Sequence, residues 1–555
     1  MSKKEKILAF IALAIACFLT VLDSTIVNVS LPAMANYFNT SITGISWVST
    51  AYLIPFSALL INFSKIADIF GRKKLFLIGL VVFGLSSICC GLSTSLTMII
   101  SFRIIQGVGA AILTPLAIPL AIELFGKEAM GKLGVIIGMI IAISAASGPV
   151  VGGVLNEAFG FKAIFYVNVP FIIVSLVLGK VYVKECYDST IEKKIDLIGS
   201  VLLAYGLGAL TFFLVKGNDY GWGSTKMLAL IITSVVSIVA FLIYERSVKS
   251  PMVEFGLFRA KSFTASIILV AIIFFAYMPI TYLMNFYLEN QLGYTVLQSG
   301  LRIGIISATS FFMAPIFNVV SNKTSIRVTS FIAVVFVGSG NLIFHYLNSS
   351  NNMKIIYIAF VLMGLGVGAT TPLYKSAFDE ISEDKNGMAS GILNSLRQLT
   401  ACLAIALVST LSTHFTSIAV DNTKNKIVDK INQNTVLEQQ VKDSLSTKIK
   451  TAKSDSGNGF SKEAVHKLMQ QQEKVALAAV PANMKTAVTK KFEAQEKQIY
   501  NIVDEAEVIK NDESNKVYNK CYLITGIIAL FGLIAVPFNR KKETDAAESA
   551  EKATA

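Results

Sequence analysis

The sequence predicts an all-α, polytopic membrane protein with 14 transmembrane helices, and three observations carry that prediction. Hydrophobic residues make up 54% of the 555 residues and charged residues 15%, with a mean hydropathy of +0.62, a composition unlike that of a soluble globular chain. Windows of about 19 residues find fourteen apolar stretches long enough to cross about 30 Å of hydrocarbon. Lys and Arg fall mainly in alternate short loops, so the net charge of +13 reflects membrane topology rather than affinity for nucleic acid.

The spans run from 7 to 30, 46 to 64, 75 to 93, 97 to 122, 133 to 155, 163 to 183, 197 to 215, 227 to 244, 264 to 288, 301 to 321, 326 to 347, 354 to 374, 392 to 413 and 521 to 538. Span 1 is too long, and too far from a small-residue cleavage motif, to be a removed signal peptide. Lys3, Lys4 and Lys6 put the N-terminus in the cytoplasm. Lys65 with Arg72, Lys73 and Lys74 marks an inner loop after span 2, Lys180 to Lys194 another after span 6, and Arg246 with Lys249 a third after span 8. Arg540, Lys541 and Lys542 return the C-terminus to the same side, as an even number of spans requires. The loops after spans 1 and 3 carry no charge and should face outward.

Two segments break the rhythm of short loops. Tyr187 to Asp196 is a polar linker between two helical halves. Residues 415–519 form a polar insert on the outer side, in which Ile427, Ile431, Val441, Leu445 and Ile449 recur at helical spacing until SDSGNG at 454 to 459. A helical hairpin or small helical cap is one reading. A disordered insert is the other, because polar sequence of this kind can bury too little to offset its ordering entropy. The domains are therefore 1–187, a six-helix bundle; 188–250, the linker and two central helices; 251–414, the second bundle; 415–519, the extracellular insert; and 520–555, the last span with a cytoplasmic tail.

Asp23 is the only carboxylate in the interior of any long apolar run. An acid at membrane depth costs about 2.5–3.5 kcal/mol on insertion scales, so such residues usually face a cavity or an ion path. Asp23 reads as a titratable site, with hydrogen bonding to a neighbouring helix as the alternative. Arg103 lies inside span 4. At about 1.5 Å per residue, Asp23 is roughly 24 Å from the inner end of span 1 and Arg103 about 21 Å from the inside of a 30 Å core. The two charges can share one layer, although the rotations of their helices are not given by spacing.

Asp68 lies just ahead of span 3, where a carboxylate can meet the positive end of a helix, and Gly71, Arg72 and Lys73 follow at the inner surface. Gly107 and Gly109 allow close approach of span 4. In SGPVVGGVL, Gly148, Gly152 and Gly153 make a small-residue face and Pro149 removes a backbone donor, so span 5 should pack tightly where a bundle is sealed. Glu289 at the outer end of span 9 reads as solvated and Arg302 as interfacial. Arg397, near the inner end of span 13, reads equally as snorkelling or as part of a cavity. Six scattered Cys without a CxxC, and three isolated His, support neither a disulfide framework nor a metal site. No GxxxxGK[ST] phosphate loop is present, which disfavours nucleotide-driven transport.

Together these strings resemble the major facilitator superfamily, and within it the fourteen-helix drug:proton antiporter branch of the EmrB/QacA type. LDSTIVNVSLP at 22–32 is similar to the branch's first-helix signature, with Ser30 where Ala is usual. IADIFGRKK resembles the cytoplasmic-loop motif, keeping Asp68, Gly71, Arg72 and Lys73 but carrying Ile69 where Arg is usual. RIIQGVGAA, SGPVVGG, GFKAIFYVNVP, PMVEFGLFR and GMASGILNSLRQL extend the resemblance over all but residues 415–519. It implies two six-helix bundles plus two central helices, alternating access, and no enzymatic activity. Lipophilic compounds would leave the cell against inward proton flow, with no cofactor beyond the proton as coupling ion. Asp23 and Arg103 would couple protons, while Asp68, Gly71, Arg72, Lys73, Gly148, Pro149, Gly152 and Gly153 would gate. Asn28, Tyr52, Gln106, Phe275, Tyr282, Asn394 and Arg397 would line the substrate cavity. The chain would be a monomer in a bacterial plasma membrane, with lipid and small lipophilic substrates as partners, no nucleic acid, and residues 415–519 open to an outer partner. The alternatives are a dedicated exporter of one metabolite, peptide or lipid, and a receptor or tether acting through the insert.

Overall fold

The computed structural model describes residues 1–126, 130–186, 196–248, 251, 253–347, 353–378, 380–381, 386–451, 462–478, 480–481 and 484–539, with some side chains inside helices excepted. Every regular element among them is helical. The linker at 187–195, the SDSGNG turn and the basic tail at 540–542 lie outside the described residues.

The first half of the chain comprises α1 (Lys3–Tyr37), α2 (Ile42–Phe70), α3 (Arg72–Leu92), α4 (Leu96–Leu113), α5 (Ala117–Phe125), α6 (Met130–Phe159), α7 (Ala163–Tyr166) and α8 (Asn168–Tyr182). Two central helices follow, α9 (Leu197–Tyr220) and α10 (Thr225–Ser247). The second half has α11 (Lys261–Phe286), α12 (Val296–Lys323), α13 (Ile326–Phe344), α14 (Met353–Gly368), α15 (Thr371–Phe378), α16 (Asn386–Gln433), α17 (Gln439–Thr451), α18 (Lys462–Ala478) and α19 (Lys485–Phe531). Thirteen helical segments among the described residues are long and apolar enough to cross a membrane. The 30-residue α6 coincides with the remaining predicted span. Predicted span 4 is α4 and α5 joined by a 3-10 turn at Thr114–Leu116, because Pro115 cannot supply the backbone donor a continuous helix needs.

Helix starts follow from local chemistry. Ser2 and Glu5 form a reciprocal capping box on α1, and Thr295 with Gln298 does the same for α12, each satisfying backbone donors that the helix itself cannot. Within the membrane-spanning unit, α1 packs on α6 and α8, α2 on α4, and α3 on α4 and α8. In the second half α12 and α13 pack on α14, and α11 on α13 and α15. The two halves meet chiefly where α6 lies along α12 and α1 along α11.

The α6–α12 seam explains the glycines of span 5. A Cβ on Gly153 would sit 2.7 Å from the Leu297 Cα, and one on Gly300 would sit 2.2 Å from the Pro149 carbonyl oxygen. On the other face of α6, Cβ atoms on Gly148 and Gly152 would meet Thr25 and Ile26 of α1. The GPxxGG string thus clamps α6 between α1 and α12, a backbone-to-backbone approach typical of small-residue membrane interfaces.

The insert folds as a separate compact unit, Tyr346–Asn352 with Ser412–Lys520. It is built from the C-terminal part of α16, α17, α18 and the N-terminal part of α19. Ile431, Leu445, Val465, Met469 and Ile499 are among the residues of its buried apolar cluster, so the disordered alternative does not hold for the described residues. Glu513, 3% exposed, accepts from Lys426, Lys516 and Asn422, which leaves no bare charge in that interior.

Gly300→Val should lower the melting temperature of the purified protein, because overpacking a close contact costs about 1–3 kcal/mol. Gly208→Ala, where a Cβ meets nothing within 4 Å, is the control and should leave it unchanged; equal effects from both would show that the α6–α12 approach is not tight.

Candidate functional site

Five helices, α1, α2, α3, α4 and α8, bring their polar residues to one point inside the first bundle. Asp23 of α1 is 0% exposed and Arg103 of α4 is 1% exposed. The Arg103 Nη1 donates to Asp23 Oδ2 in a direct ion pair, and also to Gln106 Oε1 at 2.9 Å, while its Nε donates to the Val48 carbonyl of α2 at 2.8 Å. Gln106 Nε2 in turn donates to Asp23 Oδ1 at 2.9 Å, and Asn168 Nδ2 of α8 donates to the same oxygen at 3.2 Å. Asn168 also donates to Ser87 of α3 at 3.0 Å, and Ser87 to the Phe165 carbonyl at 2.8 Å. The guanidinium carbon stands 4.2 Å from the centre of the Tyr52 ring, whose hydroxyl donates to the Thr20 carbonyl at 3.0 Å. Each charge is therefore paired and hydrogen-bonded, the condition under which two ions can be held away from water.

Local packing makes this possible. A Cβ on Gly107 would lie 2.3 Å from the Tyr52 carbonyl oxygen. The bare glycine lets α4 lie against α2, which sets the Tyr52 ring beside Arg103.

The pair forms one wall of a cavity between the halves. Asn28, Tyr52 and Arg103 line it from the first bundle, and Met278 of α11 and Ile405 of α16 from the second; its volume is about 10 Å³. That is room for about one water molecule, so the halves are closed on each other at this level. Among the described residues Arg103 is the only charged side chain on the lining; Asp23 stands behind it.

The remaining sequence candidates are spread more widely. Asn28 accepts from Ser49 at 3.1 Å beside the cavity. Gln106, read as a cavity residue, belongs instead to the ion network. Tyr282 donates to the Ile42 carbonyl at the start of α2 and so joins α11 to the first bundle. Phe275, Asn394 and Arg397 are half-buried on α11 and α16 and do not line this cavity.

At the far end of α2 the expected Asp68 cap cannot be followed to its side chain, and another carboxylate meets the start of α3. Asp68 lies within α2, and its side chain is outside the described residues. The start of α3 is capped by Glu185, beyond α8, whose two carboxylate oxygens accept from the Lys73 and Lys74 amides at 2.9 and 3.0 Å. Gly71, at φ 112, makes the turn and has no side chain to obstruct that carboxylate. The Arg72 amide donates to the Cys186 carbonyl at 3.1 Å and Lys73 Nζ to the Lys180 carbonyl at 2.8 Å. Glu289 is not simply solvated either: its Oε1 is buried without a hydrogen-bond partner, in a π-helical turn at Tyr287–Gln291. Asn168 and Glu185 were missed by sequence reasoning. An Asn at the start of an apolar span was a usable signal for Asn168, whereas Glu185 sits in a charged loop and offers none.

A neutralised acid–arginine pair, walled into a bundle of spanning helices beside a cavity shared with a second bundle, defines a membrane transporter rather than an enzyme. Residues 13–405 match the Major Facilitator Superfamily, and the chain belongs to that family. It is 29% identical over 446 residues to the multidrug resistance protein Stp of Mycobacterium tuberculosis (strain CDC 1551 / Oshkosh), covering 80% of this chain and 82% of the relative. It is 28% identical over 409 residues to the tetracenomycin C resistance and export protein of Streptomyces glaucescens, covering 72% and 75%. These relatives are consistent with the EmrB/QacA type of drug:proton antiporter. A bacterial homologue of the human lysosomal transporter Spinster, in an inward-facing and occupied conformation, shares the fold with a TM-score of 0.54 at 16% identity, covering 97% of this chain and 98% of that one.

Arg103→Ala should destabilise the protein by about 3–5 kcal/mol, because it strands the Asp23 carboxylate in a dry interior. The neutral pair Asp23→Asn with Arg103→Gln should recover most of that loss in thermal melts. If Arg103→Ala melts like the wild type, Asp23 is not held as a buried ion.

Proposed function

We propose that the chain is a proton-coupled exporter of lipophilic compounds, working by alternating access between two six-helix bundles in a bacterial plasma membrane, with both termini cytoplasmic and residues 415–519 outside. The observation that carries this reading is the Asp23–Arg103–Gln106–Asn168 network standing directly behind the central cavity. An intramembrane acid needs a reason to be there. A carboxylate that exchanges a proton with an aqueous path supplies one.

In this reading Arg103 is the relay. It touches Asp23 on one side and the cavity on the other, with Tyr52 against its flat face. Protonation of Asp23 removes the charge that holds the guanidinium, so proton and substrate act on the same side chain from opposite sides without sharing an atom. Ligand and proton then select different states of the two bundles. The seam of α6 with α12 seals one side of the pathway, and the loop at Gly71 to Lys73, held by Glu185, regulates the other. The molecule works as a monomer with lipid around it, and the insert is available to an outer partner.

A dedicated exporter of a single compound is the second reading, favoured by the likeness to a relative named for tetracenomycin C. Inverted vesicles distinguish the two through the breadth of compounds that collapse a proton gradient.

Asp23→Asn should reduce substrate-driven proton release to background; because it also leaves the buried Arg103 guanidinium without its counter-charge, the same loss is expected in the neutral pair Asp23→Asn with Arg103→Gln, which leaves no bare ion. Undiminished antiport in that variant would remove Asp23 from the mechanism.

Among the described residues the lining of the cavity holds Arg103 and no carboxylate. A dication there would lack a counter-charge in low dielectric. Neutral or monovalent compounds should therefore be exported better than dications in assays with matched mono- and bis-quaternary dyes; robust dication export would show that another acid, such as Glu289, turns inward.

A further inference from the structure

Arg397 is an intramembrane charge that the coupling network does not use. It lies in the membrane-spanning part of α16, half-buried. Its Nη1 reaches the Tyr374 hydroxyl of α15 at 3.5 Å, and its guanidinium carbon stands 5.4 Å from the centre of the Phe274 ring of α11. Among the described residues no carboxylate pairs with it, whereas Arg103 is fully neutralised by Asp23.

A guanidinium carries five N–H donors in a planar fork that matches a carboxylate in a bidentate manner. Here one donor makes a single long contact, and the others meet no protein acceptor among the described residues. The surroundings are apolar and aromatic: Phe274 packs edge-on to Tyr277 with ring centres 6.1 Å apart. A cation at membrane depth without a counter-charge is costly, and a ligand that brings one negative charge and an apolar body answers both features. We propose that Arg397, with Tyr374 and the Phe274–Tyr277 wall, forms an anion subsite that takes the carboxylate of lipophilic monocarboxylic acids. The proposal rests on the exporter reading above and narrows its substrate class to weak organic acids.

Arg397 lies eight residues, about 12 Å of helix, inward of Ile405 on the central cavity. An acid held there is therefore separate from Asp23, and its binding can be read without proton movement.

The test is equilibrium binding of 1-naphthaleneacetic acid and its methyl ester to the full-length protein in zwitterionic nanodiscs at neutral pH, where the acid is ionised. The acid should bind about ten-fold more tightly than the ester, as expected for a charge-assisted bidentate contact. Arg397→Gln should bring that ratio close to one, and Arg397→Lys should retain part of it through charge without the fork. Phe274→Ala should weaken acid and ester together. A ratio near one in the wild type, or a ratio unchanged in Arg397→Gln, overturns the proposal; Arg397→Lys provides the reading if the Gln variant fails to fold. Loss of the preference in nanodiscs containing anionic lipid would assign the fork to a lipid headgroup and also overturn it. Proton release measured separately in vesicles keeps the two readings apart, since its absence with every compound would refute proton coupling and leave the binding ratio intact.

Discussion

Burial of the Asp23 and Arg103 charges together is the constraint on which the rest of the first bundle depends. Neither ion could be kept from water alone, and the pair is tolerable only if the remaining donors and lone pairs are also satisfied. That requirement recruits Gln106 from α4, the Val48 carbonyl from α2 and Asn168 from α8. It also fixes the distance between helices. A methyl group at Gly107 would push α4 away from the Tyr52 carbonyl, carrying Arg103 away from both Val48 and the Tyr52 ring. The glycine motif and the charge motif of span 4 are thus one device, because the close approach is what completes the solvation shell of the guanidinium.

Much of this was legible because the membrane makes sequence unusually informative. Apolar runs of the right length located the spanning segments, while α16 and α19 run on for some twenty residues or more beyond spans 13 and 14 into the insert. The depth estimate put Asp23 and Arg103 in one layer without establishing contact, since helix rotation depends on packing partners far apart in sequence. The same limit hid Asn168, 145 positions from Asp23, and moved Gln106 from the cavity to the ion network. Glu185 was invisible for a different reason. A glutamate in a polar loop becomes a helix cap only through the turn at Gly71 and the return of the chain after α8, and neither is encoded locally. The insert was readable as helical from its 3.6-residue apolar spacing, but its order depended on whether those faces found one another, as Ile431, Leu445, Val465 and Ile499 do.

The contacts inside the first bundle differ in kind from those that join it to the second. Inside, polar side chains are cross-linked through charge. Across the seam, among the described residues, contacts include Gly153 and Gly300 against backbone, the Tyr282 hydroxyl on the Ile42 carbonyl, the Thr43 hydroxyl on the Ser409 carbonyl at 3.4 Å, and at the exposed end the Thr295 hydroxyl on the Glu157 carboxylate at 3.0 Å. No described ion pair joins the two halves.

This asymmetry bears on how such a molecule can move. Separating the seam gives up dispersion contacts, neutral hydrogen bonds worth roughly 0.5–1.5 kcal/mol each and the exposed Thr295 to Glu157 hydrogen bond, and water entering the opened side can replace the hydrogen bonds. Separating Asp23 from Arg103 would leave bare ions in a dry interior at several kcal/mol. The lower-cost motion is therefore rocking of one bundle against the other with the ion network carried intact inside the first. A state change that leaves the pair whole cannot by itself be sensitive to protons. In the proposed coupling, sensitivity enters when the carboxylate is neutralised in place, because the Arg103 charge is then no longer balanced and the wall it forms goes from neutral to positive without any helix having moved.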